Sequence, residues 1–430
     1  MATVAPPGNG LFGRVKPLDA ILATAEKKGL RRSLGAFQLT LLGIGAVIGT
    51  GIFVLTATAA QKAGPGMMIS FMIAGAVCAV AALCYSELAS MVPVAGSAYT
   101  YSYAVMGELM AWLVGWALIL EYALGASAVA VGWSGHMIGL LDSIGVHLPH
   151  ALTVGPKIEW GFLKGGEVGG MFNLPAVLIT MFVTALLVIG TKESATFNAV
   201  LVLVKVSALT LFVIVTVPMI SGHAENFHPF VPRGWGSPLS SSGAGVLGAA
   251  ASIFFAYVGF DAVSTAAEET KNPQRNVPIG LIASLLICTV FYLLVAGGAI
   301  GAYGAQPLLN PATGLPFVEG SPELYASSAC QVAAHAPLVC SKEALAYVMR
   351  EVSTPVLGNL IGLAATIALP SVVLLMMYGQ TRIFFVMARD GLLPDKLSTV
   401  HPRFKTPWVV TVVTGMVVAT AAAFRPARRR

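Results

Sequence analysis

Long apolar segments recur along this chain, each of roughly 18 residues or more, with polar stretches between them. They fall at approximately 37–60, 67–91, 105–140, 173–190, 194–219, 245–268, 278–303, 355–388 and 407–424. A helix needs about 20 apolar residues to cross the hydrocarbon layer, so the pattern predicts nine membrane-spanning helices. Where a segment is apolar all round, periodicity adds nothing, and length and flanks define the element. Two connections are long, 141–172 and 304–352. Both are rich in Gly, Pro and Ala and read as outer, partly structured loops. The predicted organisation is a cytoplasmic tail over 1–36 with an interfacial helix near Leu18–Leu30, a transmembrane region over 37–424 and a basic tail over 425–430.

Composition agrees with the pattern. Of the 430 residues 56% are hydrophobic and 10% charged, and mean hydropathy is +0.81. Soluble domains carry about 25% charged residues, which excludes a water-soluble fold. The net charge of +6 reads as loop charge that sets orientation, with no signature of nucleic-acid binding. With the N-terminus inside, inner segments hold thirteen Lys and Arg against six in outer loops, as the positive-inside rule asks. The run Arg425-Pro-Ala-Arg428-Arg429-Arg430 conflicts with this, because nine spans place it outside. The first 36 residues lack an apolar core, so the first span is expected to serve as the targeting signal. Cys78, Cys84 and Cys288 lie in apolar runs and read as packing residues. Cys330 and Cys340 share a polar loop and could pair in an oxidising compartment.

Two spans carry residues that a plain membrane helix avoids. Gly43-Ile-Gly-Ala-Val-Ile-Gly-Thr-Gly51 places four glycines in nine residues of the first span. Each weakens a helix by about 1 kcal/mol relative to Ala. A break in lipid survives only where it is buried or lines a cavity. The same stretch also fits close helix packing through small residues, Gly45 and Gly49 being a GxxxG pair. In the sixth span, Phe254-Phe-Ala-Tyr-Val-Gly-Phe-Asp261 puts a glycine and an aspartate near mid-membrane. Spans one and six hold equivalent places in two five-helix halves. Interrupted helices at matching positions point to a midplane binding site in an inverted-repeat transporter.

The expected chemistry suits an α-amino acid. A half-helix beginning near Thr50 offers unpaired N–H groups and a positive dipole end to a carboxylate. Free carbonyls near Val47, and near Phe255 and Val258, suit an ammonium group, and Phe255 could close over the side chain. Lys205 sits in mid-span five, where it cannot reach either interface. It reads either as a titrating group that couples proton movement to the cycle or as a fixed cation paired with backbone carbonyls of span one. Glu121 is expected to face the bundle interior, and Asp261 either braces the loosened backbone or joins a proton path. Glu87 reads as structural and Glu108 as a helix-end charge or more. The stretch Ala267-Glu-Glu-Thr-Lys-Asn-Pro-Gln-Arg-Asn-Val-Pro278 is a tight loop or a cytoplasmic gate.

Several stretches resemble the amino acid–polyamine–organocation superfamily, specifically the cationic amino acid transporter family and its bacterial homologues. They are GIGAVIGTGIF (43–53), AGPGMMISF (63–71), ALCYSELASMVPVAGSAYTYSY (82–103), GELMAWLVGWALILEY (107–122), FAYVGFDAVSTAAEETKNPQRNVPIG (255–280) and GQTRIFFVMARDGLLP (379–394). The resemblance implies an all-α LeuT-type fold with ten core helices in two inverted halves. It implies proton-coupled or facilitated amino-acid transport, with substrate contacts at Val47, Thr50, Gly51, Phe255 and Val258. It matches Lys205 to a lysine that stands where sodium-coupled relatives hold an ion. Met376 falls at a pocket position that is small in transporters of cationic amino acids, so it implies narrowing toward small neutral side chains such as alanine. Relatives continue past Pro407 through further spans, so the sequence reads as truncated after about the ninth.

The expected function is therefore a secondary transporter in the plasma membrane, the inner membrane if bacterial. Its expected partners are an amino acid, protons and the lipid bilayer, and nothing calls for a cofactor. A sensor or an inactive truncated form is the alternative. A channel is disfavoured because no span carries a filter sequence. An enzyme is disfavoured because no nucleophile, metal or phosphate motif appears.

Overall fold

The computed structural model describes residues 8–10, 13–17, 19, 21, 32–143, 145–156, 158–160, 163–165, 170–237, 244–311, 314, 316–317, 322–331, 336–341 and 343–424. Most of the expected tail helix and the basic C-terminal run lie outside the described residues. Among the described residues, five helical stretches are long and apolar enough to cross a membrane: Leu55–Met91, Glu108–Ile138, Ser194–Gly222, Pro273–Tyr303 and Pro355–Arg389. Shorter apolar helices at Ala36–Val47, Leu174–Ile189, Gly245–Ala256 and Trp408–Phe424 complete the bundle. The chain is a multi-pass membrane protein.

The first span is two helices, α1 (Ala36–Val47) and α2 (Thr50–Ala63). The helix stops only at Ile48 and Gly49, so Gly43 and Gly45 remain helical. All four glycines are also close-packing positions. A Cβ on Gly43 would lie 2.3 Å from Ser284 Oγ, and one on Gly45 2.3 Å from Asn198 Oδ1. One on Gly49 would lie 2.6 Å from Val372 Cγ2, and one on Gly51 2.5 Å from Ala256 Cα. The two readings of this stretch thus hold together.

After α2 the chain turns through Gly64–Gly66 into α3 (Met67–Met91) and α4 (Ala98–Val105). The third span is α5 (Glu108–Ser143), followed by α6 (Leu174–Ile189) and α7 (Thr191–Thr216). Asn173 caps α6, its side chain accepting from Ala176 N–H at 3.1 Å and from Ser134 at 2.6 Å. The sixth span begins as α8 (Gly245–Ile253), loosens over residues 254–261 and resumes as the single turn α9 (Ala262–Thr265). Then come α10 (Pro273–Tyr303), α11 (Ala344–Val352), α12 (Pro355–Ala368), α13 (Pro370–Arg389) and α14 (Trp408–Phe424). Two short antiparallel hairpins lie at Gly8–Gly10 with Gly13–Val15 and at Ile158–Trp160 with Leu163–Gly165.

Helix α10 packs on α1 and α3, α13 on α5, α14 on α6, and α2 on α8. On α5, Leu109, Leu113, Trp116, Leu120 and Leu124 are exposed at intervals of three and four residues. Such a stripe is what a helix presents to lipid. Helix α13 is instead buried along nearly its whole length.

One end of the bundle is tied by charges. Arg382 donates to Glu269 Oε1 through Nε at 3.0 Å and Nη2 at 2.9 Å, both side chains fully buried. Its guanidinium lies 3.8 Å from the centre of the Tyr378 ring. Arg389 pairs with both oxygens of Glu268, at 3.0 and 2.7 Å. Lys16 donates to Asp390 at 2.6 Å, and Tyr99 to the other oxygen at 3.0 Å. Ser33 and Leu34 donate backbone N–H groups to Glu269 O, and Lys271 N–H returns to Leu34 O. The acidic pair after span six is thereby bound to α13 and to the segment before α1.

At the other end Cys330 and Cys340 form a disulfide with Cα atoms 5.3 Å apart. The turn Leu338–Cys340 and α11 both rest on α2. Tyr303 and Tyr347 donate to Ala336 O at 2.7 and 3.1 Å, holding this loop on α10.

Candidate functional site

A helix leaves its last four carbonyls and first four N–H groups without intrahelical partners. At the first break this accounting can be done atom by atom. Ile44 O takes Ile48 N–H at 2.9 Å. Lys205, 1% exposed on α7, donates its ammonium to Gly45 O at 2.8 Å and Ile48 O at 2.5 Å. Tyr292 of α10 places its hydroxyl 2.8 Å from Val47 O. The same hydroxyl is 2.8 Å from Ala256 O in the break of span six. One phenolic proton thus serves two carbonyls, one from each interrupted helix.

These contacts correct one expectation. Val47 O is engaged by Tyr292, and the carbonyls beside it are held by Lys205. A carbonyl has two lone pairs, so the group still has acceptor capacity. On the other side of the break Gly49 gives α2 no side-chain cap. The first hydrogen bond into α2 is Phe53 N–H to Gly49 O at 3.4 Å. The N–H groups of Thr50, Gly51 and Ile52 precede it at the positive end of the helix.

Gly51 lies directly on Ala256, so the two breaks touch. In span six Tyr257 N–H bonds Phe254 O at 2.9 Å and Val258 N–H bonds Phe255 O at 3.3 Å. The Phe255 carbonyl is therefore engaged, and the Phe255 side chain stands 40% exposed instead of folding into the bundle. Val258 is half-buried. Gly259 has φ +108°, a conformation L side chains rarely adopt. A Cβ there would also lie 2.9 Å from Met376 Cε and 3.0 Å from Ala46 Cβ. Met376, 2% exposed, thus fills the space between α1, the second break and Gly125 of α5.

Asp261 is buried and accepts a short hydrogen bond from the hydroxyl of Tyr122. Glu121 does not face the interior as expected. Its side chain is exposed, beside the apolar stripe of α5. The helix turns about 100° per residue, and it is Tyr122, one residue on, that points inward. Sequence reasoning passed over both tyrosines. A buried Tyr hydroxyl seeks a partner, and Tyr292 and Tyr122 each lie within a long apolar run, which is the signal that could have found them. Asn198, donating to Leu41 O at 3.2 Å, is a third group of this kind.

A multi-span helical bundle with two interrupted helices meeting at mid-bundle defines the fold class: an all-α membrane protein of the LeuT type. The fold matches the crystal structure of MhsT in complex with L-phenylalanine, with a TM-score of 0.59 at 15% identity over 92% of this chain and 80% of that one. The chain belongs to the amino acid permease family of the amino acid–polyamine–organocation superfamily, whose model matches residues 34–427. It is 45% identical to the branched-chain amino acid permease BcaP of Bacillus subtilis (strain 168), over 97% of this chain and 80% of the relative. It is 42% identical to the methylthioribose transporter of the same organism, over 96% and 79%. It is 36% identical to the vacuolar cationic amino acid transporter 4 of Arabidopsis thaliana, over 92% of this chain and 59% of the relative. The chain is an amino-acid transport protein.

Proposed function

We propose that this protein takes up small neutral amino acids together with protons by alternating access. The observation that carries the reading is Lys205, which holds Gly45 O and Ile48 O at the break of the first span. A change in the charge of its ammonium changes the hold on α1, which ties proton binding to the position of a half-helix. The substrate carboxylate docks on the N–H groups of Thr50 and Gly51. Its ammonium shares the carbonyls of Val47, Phe255 and Val258, while the Phe255 ring swings in to cover the side chain. Asp261, bridged to Tyr122, and Glu121, open to the surface nearby, are the further candidates for proton transfer.

Met376 supports the preference for small neutral substrates, because a sulfur-containing side chain fills the space that a longer substrate needs. The name of BcaP, a branched-chain amino acid permease, also favours an uncharged side chain. The charge excess of the segments assigned inside supports an N-terminus in the cytoplasm and a plasma-membrane location. In that orientation the Glu268–Arg389, Glu269–Arg382 and Lys16–Asp390 pairs form the inner gate. Breaking them opens the release path.

The test is uptake of labelled alanine and arginine into liposomes under an imposed pH gradient. Alanine is expected to accumulate and arginine not. Lys205→Ala is expected to abolish gradient-driven accumulation. Wild-type accumulation by that variant overturns the coupling role.

A further inference from the structure

A buried amide fastens the far end of α2. Gln61 lies in the last turn of that helix and is 1% exposed. Its Nε2 donates to Leu308 O at 2.9 Å and to Phe317 O at 3.1 Å, while Leu308 N–H donates to its Oε1 at 2.7 Å. Both amide protons are thus in use. Leu308 and Phe317 form the neck of the loop that follows α10, where Phe317 N–H donates to Leu308 O at 3.1 Å and Leu309 bridges to Pro316. The backbone of Gln61 is held as well, because Arg233 donates to Gln61 O at 3.0 Å. Arg233 belongs to the segment before α8, and Gln306 of the loop donates to His228 O of that same segment at 3.2 Å. Just past α2, Gly64 has φ +62°, and a Cβ there would lie 2.5 Å from Pro232 Cγ and 3.4 Å from Pro307 Cδ. The end of α2, the loop after α10 and the segment before α8 are joined in a closed ring of contacts.

We propose that Gln61 is a positioning residue of the transport cycle: it obliges the loop after α10 to follow α2, so that a shift at Thr50 and Gly51 is passed to the loop. Helix α2 runs unbroken from Thr50 to Ala63. At about 1.5 Å per residue it is a stiff rod of roughly 20 Å. One end carries the N–H groups at the first break, and the other carries Gln61. The loop cannot leave α2 without stranding a buried amide and the groups it pairs, which is costly in a site closed to water. The loop therefore takes its position from the helix. That the substrate carboxylate is what shifts α2 rests on the function proposed above; the linkage itself rests on Gln61 alone.

The test is hydrogen–deuterium exchange of residues 304–311 in the purified full chain in lipid nanodiscs, with alanine binding and uptake measured in parallel. Two perturbations act on α2: saturating alanine, and Gly51→Ala, whose added methyl would stand 2.5 Å from Ala256 Cα. In wild type each is expected to change exchange of the loop by about threefold or more. In Gln61→Leu, close in size but without the amide, both changes are expected to vanish. Alanine binding there is expected to stay within about threefold of wild type, and kcat to fall with KM little changed. A side chain that only stabilises the fold would, when removed, raise basal exchange and lower the melting midpoint but leave both changes in place. That result overturns the proposal, as does a wild-type loop that ignores both perturbations. Gln61→Asn, whose amide falls one methylene short of the loop, is expected to give the same loss and carries the test if Gln61→Leu does not fold. If alanine does not bind but Gly51→Ala still changes the loop through Gln61, the linkage stands and the substrate assignment falls. If alanine is bound and transported while the loop stays unresponsive, the assignment stands and the linkage falls.

Discussion

Gly51→Ala asks whether the two breaks must touch. Gly51 opens α2 and lies on Ala256, and an added methyl would stand 2.5 Å from both Cα and Cβ of that residue. Carbon atoms rest at about 3.5–4.0 Å, so the segments must separate by about 1 Å or more. One of the two atoms is backbone, and alanine has no rotamer to turn aside, so the strain has no local outlet. Overpacking of this kind costs about 1–3 kcal/mol. If substrate binding needs the two segments in contact, that converts to roughly 5- to 150-fold in apparent affinity. The assay is the concentration dependence of alanine uptake in liposomes, with a thermal melt in detergent alongside. Gly135→Ala is the control, because a Cβ there meets nothing within 4 Å. It lies inside α5 and is expected to be neutral or stabilising by about 0.5–1 kcal/mol. A Gly51→Ala protein with wild-type KM and wild-type melting midpoint refutes the idea that the contact positions the site.

Other expectations follow from the same geometry. Tyr292→Phe strips the hydroxyl from Val47 O and Ala256 O, at a cost of about 1–3 kcal/mol for each buried carbonyl left unpaired; a lower melting midpoint and weaker alanine binding check it. Glu268→Gln leaves Arg389 buried without its countercharge, and breaking such a pair costs about 3–5 kcal/mol. Faster hydrogen exchange over 265–271 and slower net uptake are the expected result. Met376→Ser empties space between Gly125 and Gly259, and is expected to admit arginine in competition assays; unchanged exclusion of arginine counts against the pocket assignment.

The two interruptions were legible because glycine and aspartate in mid-span have few innocent explanations. Their extent was not. The helix stops at Ile48–Gly49 and not across the whole glycine run, because the stopping point depends on Lys205 and Tyr292, which come from α7 and α10. Lys205 itself was legible as an anomaly, and one of its two readings named the carbonyls it touches. Glu121 was misplaced because an all-apolar helix gives no phase. Once Leu113, Trp116, Leu120 and Leu124 are seen as one exposed stripe, its position beside them follows from 3.6 residues per turn. The charged end was half legible. Glu268 and Glu269 stood out in a loop, whereas Arg382 and Arg389 were read with their helix and not as partners. Their spacing of seven puts them on one face of α13, a clue that needs the acidic pair to become meaningful.

The cation at the first break is part of the polypeptide. Lys205 is delivered to Gly45 O and Ile48 O by α7, so its occupancy there does not depend on the composition of the bath. A free ion at the same carbonyls would have to be captured from solution on each turnover, and diluting it would empty the site. The tethered ammonium cannot be washed out, competed away by another metal or carried across to the other side. It can exchange only a proton. Replacing sodium in the medium by choline is accordingly expected to leave uptake unchanged.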